Sequence, residues 1–458
     1  MPSASSQLEL TSTFVDSPVP FGYGFVRGAG KRLIDYVDGS SNTYQVRLLG
    51  EGQWKSLERL WLNRAALTLP DTTKVRFHPG LDGTIGAGMS ATSTGGDQLV
   101  DSFFSSLPAS LNTYPVTWSR YAYLFLKIAP DAGAPDQNAE VLGDYKAGMV
   151  RLFDNTGAQT GFDWSQNWVW ITVDQLLRKF VLREARINQP LTSEQKARFD
   201  FGLLKAAADY SDFDIGGGVK RFSGEGVVWI EDGLGFDRAL EQLLLLCRSY
   251  LLEANGKMSV NEKRDRASTF TFKRDDIEPG SFEIIEAPEP GFNQVTPRFR
   301  NYDRMSGSSD DLTRFFDVNI APVNHEAHQR AMGFAARGLA RSPRAIPFFP
   351  DVGVNTGERA WRLVRPLLLE ELGDEPDPGN AYVSPLWCQF VGLPQTLEAM
   401  PGDVVTVDSS ITEEFGGLKW VVISETHLSG GRHRLKCRQH NPNAFPDVAP
   451  TQQVTLAA

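Results

Sequence analysis

Between Asp163 and Val260 the sequence changes pattern so often that it reads as helix, helix, strand, long helix and strand in turn. An aromatic run, Asn167-Trp168-Val169-Trp170, leads into Leu176, Leu177, Phe180 and Val181 at helical spacing. Thr172 with Gln175, and Thr192 with Gln195, each fit a capping box, in which hydroxyl and amide satisfy each other's orphan backbone donors. Phe199, Leu203, Leu204 and Ala207 repeat the helical period after the second box. Three glycines, Gly216 to Gly218, then interrupt any regular element. Phe222 and Gly226-Val227-Val228-Trp229 predict a short buried strand. From Phe236 to Leu252 the apolar positions (Leu240, Leu243, Leu244, Leu245, Leu246, Tyr250, Leu251) are dense enough to predict a helix covered on most sides. Asn255-Gly256 predicts a tight hairpin turn, with Met258 and Val260 on the returning strand.

The flanking sequence is mainly β. Residues 1–20 are polar and Ser/Pro-rich and read as an extended arm. In residues 21–162 strands are expected around Tyr44–Leu49, Leu57–Leu62 and Thr117–Ile128, the last rich in aromatic residues. Residues 82–101 and 131–144 carry the Gly, Ser, Thr, Asp and Pro of exposed loops. After the central 163–260 segment, residues 261–320 place Phe270/Phe272 and Phe282/Ile284 in edge-type strands separated by Pro and Gly. Residues 321–380 predict helices over His325–Ala340 and Glu358–Leu372, the second kinked or split at Pro366. In residues 381–446 alternating Leu386, Cys388 and Phe390, then Val404–Val407, Gly417–Ser424 and Arg432–Arg438, have the spacing of a small antiparallel barrel. Residues 447–458 form a tail. No repeat of fixed period stands out.

A chain of 458 residues should divide into about three or four domains. Its 41% hydrophobic content supports sizeable cores, yet no run of 18 apolar residues predicts a membrane span. The opening MPSASSQLEL lacks the basic start and apolar centre of a signal peptide. Three widely spaced cysteines, Cys247, Cys388 and Cys437, argue against a disulfide framework or a cysteine-rich zinc site and suit synthesis in a reducing cytoplasm. A net charge of −10 lacks the basic balance of a sequence-reading DNA binder. It fits ordinary acidic solubility, or a wall that does not retain a polyanion.

Motifs that would carry chemistry fall short. Arg27-Gly28-Ala29-Gly30-Lys31-Arg32 has Phe25 where a phosphate loop needs its first glycine and Arg32 where it needs a hydroxyl for magnesium. His325 and His328 are three apart, not the four that set two zinc ligands on one helical face around a glutamate. Asp209, Asp212 and Asp214 give one alternate pair and no following glutamate to complete a calcium loop. No Gly-x-Ser-x-Gly elbow occurs, and carboxylate pairs are too plentiful among 56 acidic residues to single out a glycosidase pair. No catalytic, cofactor-binding or metal-binding residues are therefore assigned, and no cofactor is expected.

With these elements in order, the chain resembles the hub or tip attachment proteins of lambda-like siphophage tail tips and, more distantly, the baseplate hubs of contractile tails. The residues carrying the resemblance are Asn167–Trp170 and the helix to Leu182, Ala206–Asp212, Arg221–Val228, the LLLLCRSYLLEANGKMSV block, Thr269–Ile284 with Arg298–Asp303, Tyr44–Gly52, and Pro401–Ser410 with Trp420–Phe445. The resemblance implies an α+β, mainly β, multidomain fold with antiparallel barrels like tail-tube subunits and a helix-containing central hub domain. It further implies a non-enzymatic homotrimer in the virion tail tip, made in the host cytoplasm. Such a part joins the tail tube and distal tail protein to a central fibre, closes the tube around the tape-measure protein and opens for DNA ejection. DNA would pass through its lumen without being read. The long members continue into fibronectin-like and receptor-binding regions, so here the fibre is expected to be a separate polypeptide. The rival expectations are a tail-associated cell-wall or polysaccharide hydrolase and a stand-alone binding protein.

Overall fold

The structure, a computed structural model, describes residues 19, 21–38, 40–63, 65–69, 74–80, 121–130, 139–178, 191–216, 218–224, 226–228, 237, 240–241, 243–245, 247–254, 256–288, 292–301, 316–319, 323–325, 345–348, 357–374, 382–397 and 399–445. The loop expected over 82–101, most of the 131–144 loop and the helix expected over His325–Ala340 lie outside or almost wholly outside these residues. The chain divides into two compact units, one carried mainly by residues up to Val260 and the other mainly by residues from Asn261 onward.

In the first unit the strands are β1 (Phe21–Tyr23), β2 (Phe25–Gly28), β3 (Lys31–Val37), β4 (Thr43–Glu51), β5 (Trp54–Leu62), β6 (Ala65–Leu67), β7 (Val75–His78), β8 (Tyr121–Ile128), β9 (Val141–Phe153) and β10 (Gln159–Trp164). Helices α1 (Trp168–Leu176), α2 (Ser193–Lys196) and α3 (Phe201–Asp212) follow, then β11 (Gly226–Val228), β12 (Ser249–Ala254) and β13 (Lys257–Glu262). One four-stranded antiparallel sheet runs β3-β4-β8-β7. A seven-stranded sheet is built around β9, a 13-residue strand that pairs with β1, β2, β5 and β10. Val26, Trp54, Leu60, Val141 and Tyr145 of the larger sheet meet Leu49, Val75, Leu124 and Leu126 of the smaller one in a common core. Their burial, not strand propensity, holds the two layers together.

The central strand β9 is not where the sequence points. Residues 141–144 were expected in a loop, but they pair with β2 and β5, and Asp144 is buried. Gly143, Asp144 and Gly148 disguise the strand because glycine and aspartate are poor strand formers locally. Both glycines are required by close approach. A Cβ on Gly148 would lie 2.4 Å from the Gly22 carbonyl oxygen, and one on Gly143 would strike the Tyr145 ring. Gly148→Ala is therefore expected to cost about 1–3 kcal/mol, read as a lower urea midpoint. An unchanged midpoint would refute this packing.

The helices also begin and end differently from the expectation. The α1 helix starts at Trp168, capped by the Asn167 side chain accepting from the Val169 N–H, so Thr172 is an interior helical residue and not a cap. The Thr192–Gln195 capping box forms as expected. It caps only the four-residue α2, because Arg198 and Asp200 turn aside to exchange backbone bonds with Met258. The Asp200 side chain then caps a new helix, α3. The helix expected over Phe236–Leu252 stops short: Arg248 adopts a left-handed φ of 52°, and Tyr250 and Leu251 lie in β12. The hairpin to β13 turns at Gly256 (φ 71°), as its sequence predicts.

The second unit contains β14 (Phe270–Phe272), β15 (Glu283–Ile285), β16 (Gln294–Asn301), β17 (Phe316–Asn319), β18 (Val323–Asn324), β19 (Ala345–Phe348), α4 (Gly357–Leu372), β20 (Trp387–Gly392), β21 (Val404–Val407), β22 (Lys419–His427) and β23 (His433–Gln439). A four-stranded sheet holds β16 to β19, and a six-stranded sheet runs β14-β21-β22-β23-β20-β15. The expected edge strands β14 and β15 do form its two edges, and α4 runs through Pro366 as one helix. Four strand spacings separate β14 from β20, about 19 Å in a flat sheet, yet the Phe272 and Phe390 ring centroids are 4.8 Å apart. The sheet is therefore curled around its own core of Phe272, Phe390, Val405, Trp420, Leu435 and Cys437. The architecture is mainly β and α+β, as expected. Among the described residues its barrels are open, because β14 and β15 do not pair and no sheet closes on itself.

Candidate functional site

Among the described residues, three polar constellations stand out by the distance in sequence or strand order that they bridge. In the first unit, Asp174 of α1 is 2% exposed and accepts from Arg178 Nε (2.6 Å) and the Tyr23 hydroxyl (3.0 Å). Arg151 of β9, itself buried, stands 3.7 Å from its other oxygen. Burial, followed by the Asp174 charge, pushes the Tyr23 hydroxyl well above its ordinary pKa. Burial would lower the Arg178 pKa, but the interactions with Asp174, Tyr23 and Glu51 together raise it above its ordinary value. This cluster ties α1 to β1 and β9.

The second constellation crosses three strands. Asp144 on β9 faces Arg27 on β2 and Arg59 on β5 in register. The carboxylate accepts from Arg27 (2.7 Å to one guanidinium nitrogen) and from Arg59 Nε (2.9 Å), while both guanidiniums lie over the Trp61 ring. Arg27 thus belongs to a sheet ladder. The Arg27–Arg32 stretch is a strand, a turn at Ala29-Gly30 and a second strand, not the strand-to-helix loop that cradles phosphate.

In the second unit, His433 places Nδ1 2.7 Å from Glu425 Oε1 and Nε2 2.8 Å from the Thr396 hydroxyl oxygen. Hydroxyl, imidazole and carboxylate in that order have the connectivity of a nucleophilic triad. The Thr396 hydroxyl also lies within hydrogen-bond reach of the Leu393 carbonyl, to which it donates at 2.7 Å. Thr396 and His433 are fully buried, and a Cβ on Gly392 would come within 2.6 Å of both. A substrate carbonyl has no path to that oxygen. The group fastens the Pro394–Thr396 turn to β22 and β23.

The residues weighed from sequence are placed apart. His325 Nε2 donates to the Gly373 carbonyl (3.1 Å), beside Tyr382 donating to Leu372 O (2.8 Å) and Asn441 to Leu369 O (3.2 Å). Three side chains thus bond carbonyls at the end of α4, and His325 helps to cap it. His328 lies outside the described residues. Asp209 pairs with Lys205, Asp212 with Asn167 and Lys220, and Asp214 accepts from the Gly216 N–H. Among the described residues no cluster of His, Cys, Asp and Glu is arranged to hold a metal, and no helix is long and apolar enough to cross a membrane. Sequence reasoning missed Asp144, Asp174, Glu425 and His433. Arg178 stands at i+4 from Asp174, but Tyr23 lies 151 residues from Asp174 and Arg27 lies 117 from Asp144, and no local spacing announces those pairs.

No family model matches the sequence, and no curated protein does. Among solved structures, the chain is similar to a chain from the virion of the native gene transfer agent particle. The identity is 15% and the TM-score 0.57, over 98% of this chain and 89% of that one. The 43 kDa tail protein of prophage MuSo2 from Shewanella oneidensis aligns over 71% of this chain and 74% of that one, at 12% identity and a TM-score of 0.29. The chain therefore shares its fold, over nearly its whole length, with a protein of the gene transfer agent virion.

Proposed function

We propose that this protein is a structural component of a phage-type virion tail, located at the tail tip. The observation that carries the reading is the whole-length likeness to a chain of the gene transfer agent virion. In the finer form of the proposal it is a hub. Three copies join the tail tube and distal tail protein to a central fibre, close the tube around the tape-measure protein, and open for DNA ejection. The role requires no reactive centre. The buried polar groups act as fasteners between strands and helices, and the acidic balance of −10 suits a passage through which a polyanion must slide.

Electron microscopy of intact tails carrying a tag on this chain tests the proposal. Threefold density at the distal end of the tube is the expected result. Label on side fibres only, or none on the particle, would end the hub reading. The hydrolase alternative has the Thr396–His433–Glu425 geometry as its one specific attraction. Turnover of purified peptidoglycan by the wild-type chain, abolished in Thr396→Val, would favour it.

A further inference from the structure

Two of the three cysteines meet across a strand pair. Cys388 on β20 lies directly opposite Cys437 on β23, and directly opposed residues leave a sheet on the same face. Both side chains are fully buried free thiols in the core of the curled sheet. The Gln439 N–H donates to Leu386 O at 2.8 Å, which makes that pair hydrogen-bonded. Two residues on, Cys388 and Cys437 occupy the same kind of site, where Cα atoms are about 5.5 Å apart. That separation falls within the range a disulfide spans. Contact with Cys437 and then burial push the Cys388 pKa far up, so this thiol is a slow nucleophile while the sheet is intact. The three-residue edge strand β15 covers this pair from one side, with Ile284 across from Cys388.

We infer that Cys388 and Cys437 are a reversible oxidation site, which closes to an intrachain disulfide with a small disulfide oxidant such as oxidised glutathione. Local opening at β15 exposes β20, and one thiol loses its proton to solvent. Its thiolate attacks one sulfur of the oxidant, forming a mixed disulfide and releasing one reduced glutathione. The second cysteine, deprotonated in turn, attacks the protein sulfur and releases the other. Two protein thiols are oxidised and one disulfide oxidant is reduced to two thiols. The bond joins strands already paired, so the fold need not rearrange. Drawing the side chains together at a hydrogen-bonded site strains it, which makes it easily reduced. A part made in a reducing compartment and used outside would gain this bond after release. That consequence alone rests on the tail reading; the chemistry does not.

The test uses the full chain with oxidised glutathione, in native buffer and in sub-denaturing urea. Remaining thiols are alkylated in denaturant, and peptides are mapped by mass spectrometry. The expected result is loss of two of the three thiols, a Cys388 peptide joined to a Cys437 peptide, and recovery with dithiothreitol. The reaction should run severalfold faster in urea, and the Cys247→Ser variant should form the same link. Three alkylated thiols after oxidation under both conditions would overturn the inference. So would a link that uses Cys247 or joins two chains.

Discussion

Asp174→Ala is expected to remove about 3–5 kcal/mol of stability, because it leaves buried cations without their counter-charge. The Asp174 and Arg151 side chains are 1% and 3% exposed, and Arg178 is little more exposed at 13%. Water cannot solvate the guanidiniums once the carboxylate is gone, and the Tyr23 hydroxyl loses its acceptor as well. Urea unfolding followed by tryptophan fluorescence measures the loss. The exposed pair Lys55–Asp163 provides the contrast, since Asp163→Ala should cost less than about 1 kcal/mol. The double variant with Arg178→Met should lose less than the two single losses added together, because each substitution removes the other's partner. A cost for Asp174→Ala below about 1 kcal/mol would show that the cluster is hydrated and not a fastener.

Trp168→Ala should cost a similar amount, about 3–5 kcal/mol, by a different route. The indole is fully buried where α1 crosses α3, and its N–H donates to Ser211 Oγ at 2.5 Å. Ser211 in turn donates to the Ala207 carbonyl. Beside it, the Asn167 amide bonds Ala208 O and Asp212 Oδ2. Truncating a fully buried indole leaves a cavity at the crossing that neighbouring side chains fill only in part. Native-state hydrogen exchange should show amides of α1 and α3 losing protection together. Protection unchanged in both helices would mean that the crossing does not depend on the indole. Trp168→Phe should restore most of the loss, since the ring fills the space and Ser211 keeps its carbonyl partner.

Both sites depend on contacts that the sequence does not announce. Strands with clean alternation or dense aromatic content, such as β8 and the β20 to β23 series, were legible from side-chain type. So were the Thr192 capping box, the hairpin at Gly256 and the edge strands β14 and β15. Each is set within a few residues by backbone conformational preference. The strand β9 was illegible for the opposite reason: Gly148 answers to the Gly22 carbonyl on β1, far away in sequence, and Gly143 makes room for the Tyr145 ring two residues on. The Thr172–Gln175 pair is a capping box by spacing alone, but Asn167 starts the helix earlier, because its amide also holds the end of α3.

The candidate-site reading divides in the same way. The phosphate motif fell short on residue type and the zinc and calcium motifs on spacing, and the structure gives Arg27, His325, Asp209, Asp212 and Asp214 separate structural partners. The Thr396–His433–Glu425 group could not be anticipated, because a turn and two strands must fold together before the three meet.

The sequence by itself determined the mainly β class, the turns, the caps and the edge strands, since these follow from local torsional preference and the period of apolar residues. Tertiary structure alone decided which strand is central, how far the last sheet curls, and which charges are buried together. Those choices depend on long-range burial, where a neighbouring carbonyl, a ring or an opposite charge overrides what each residue prefers on its own.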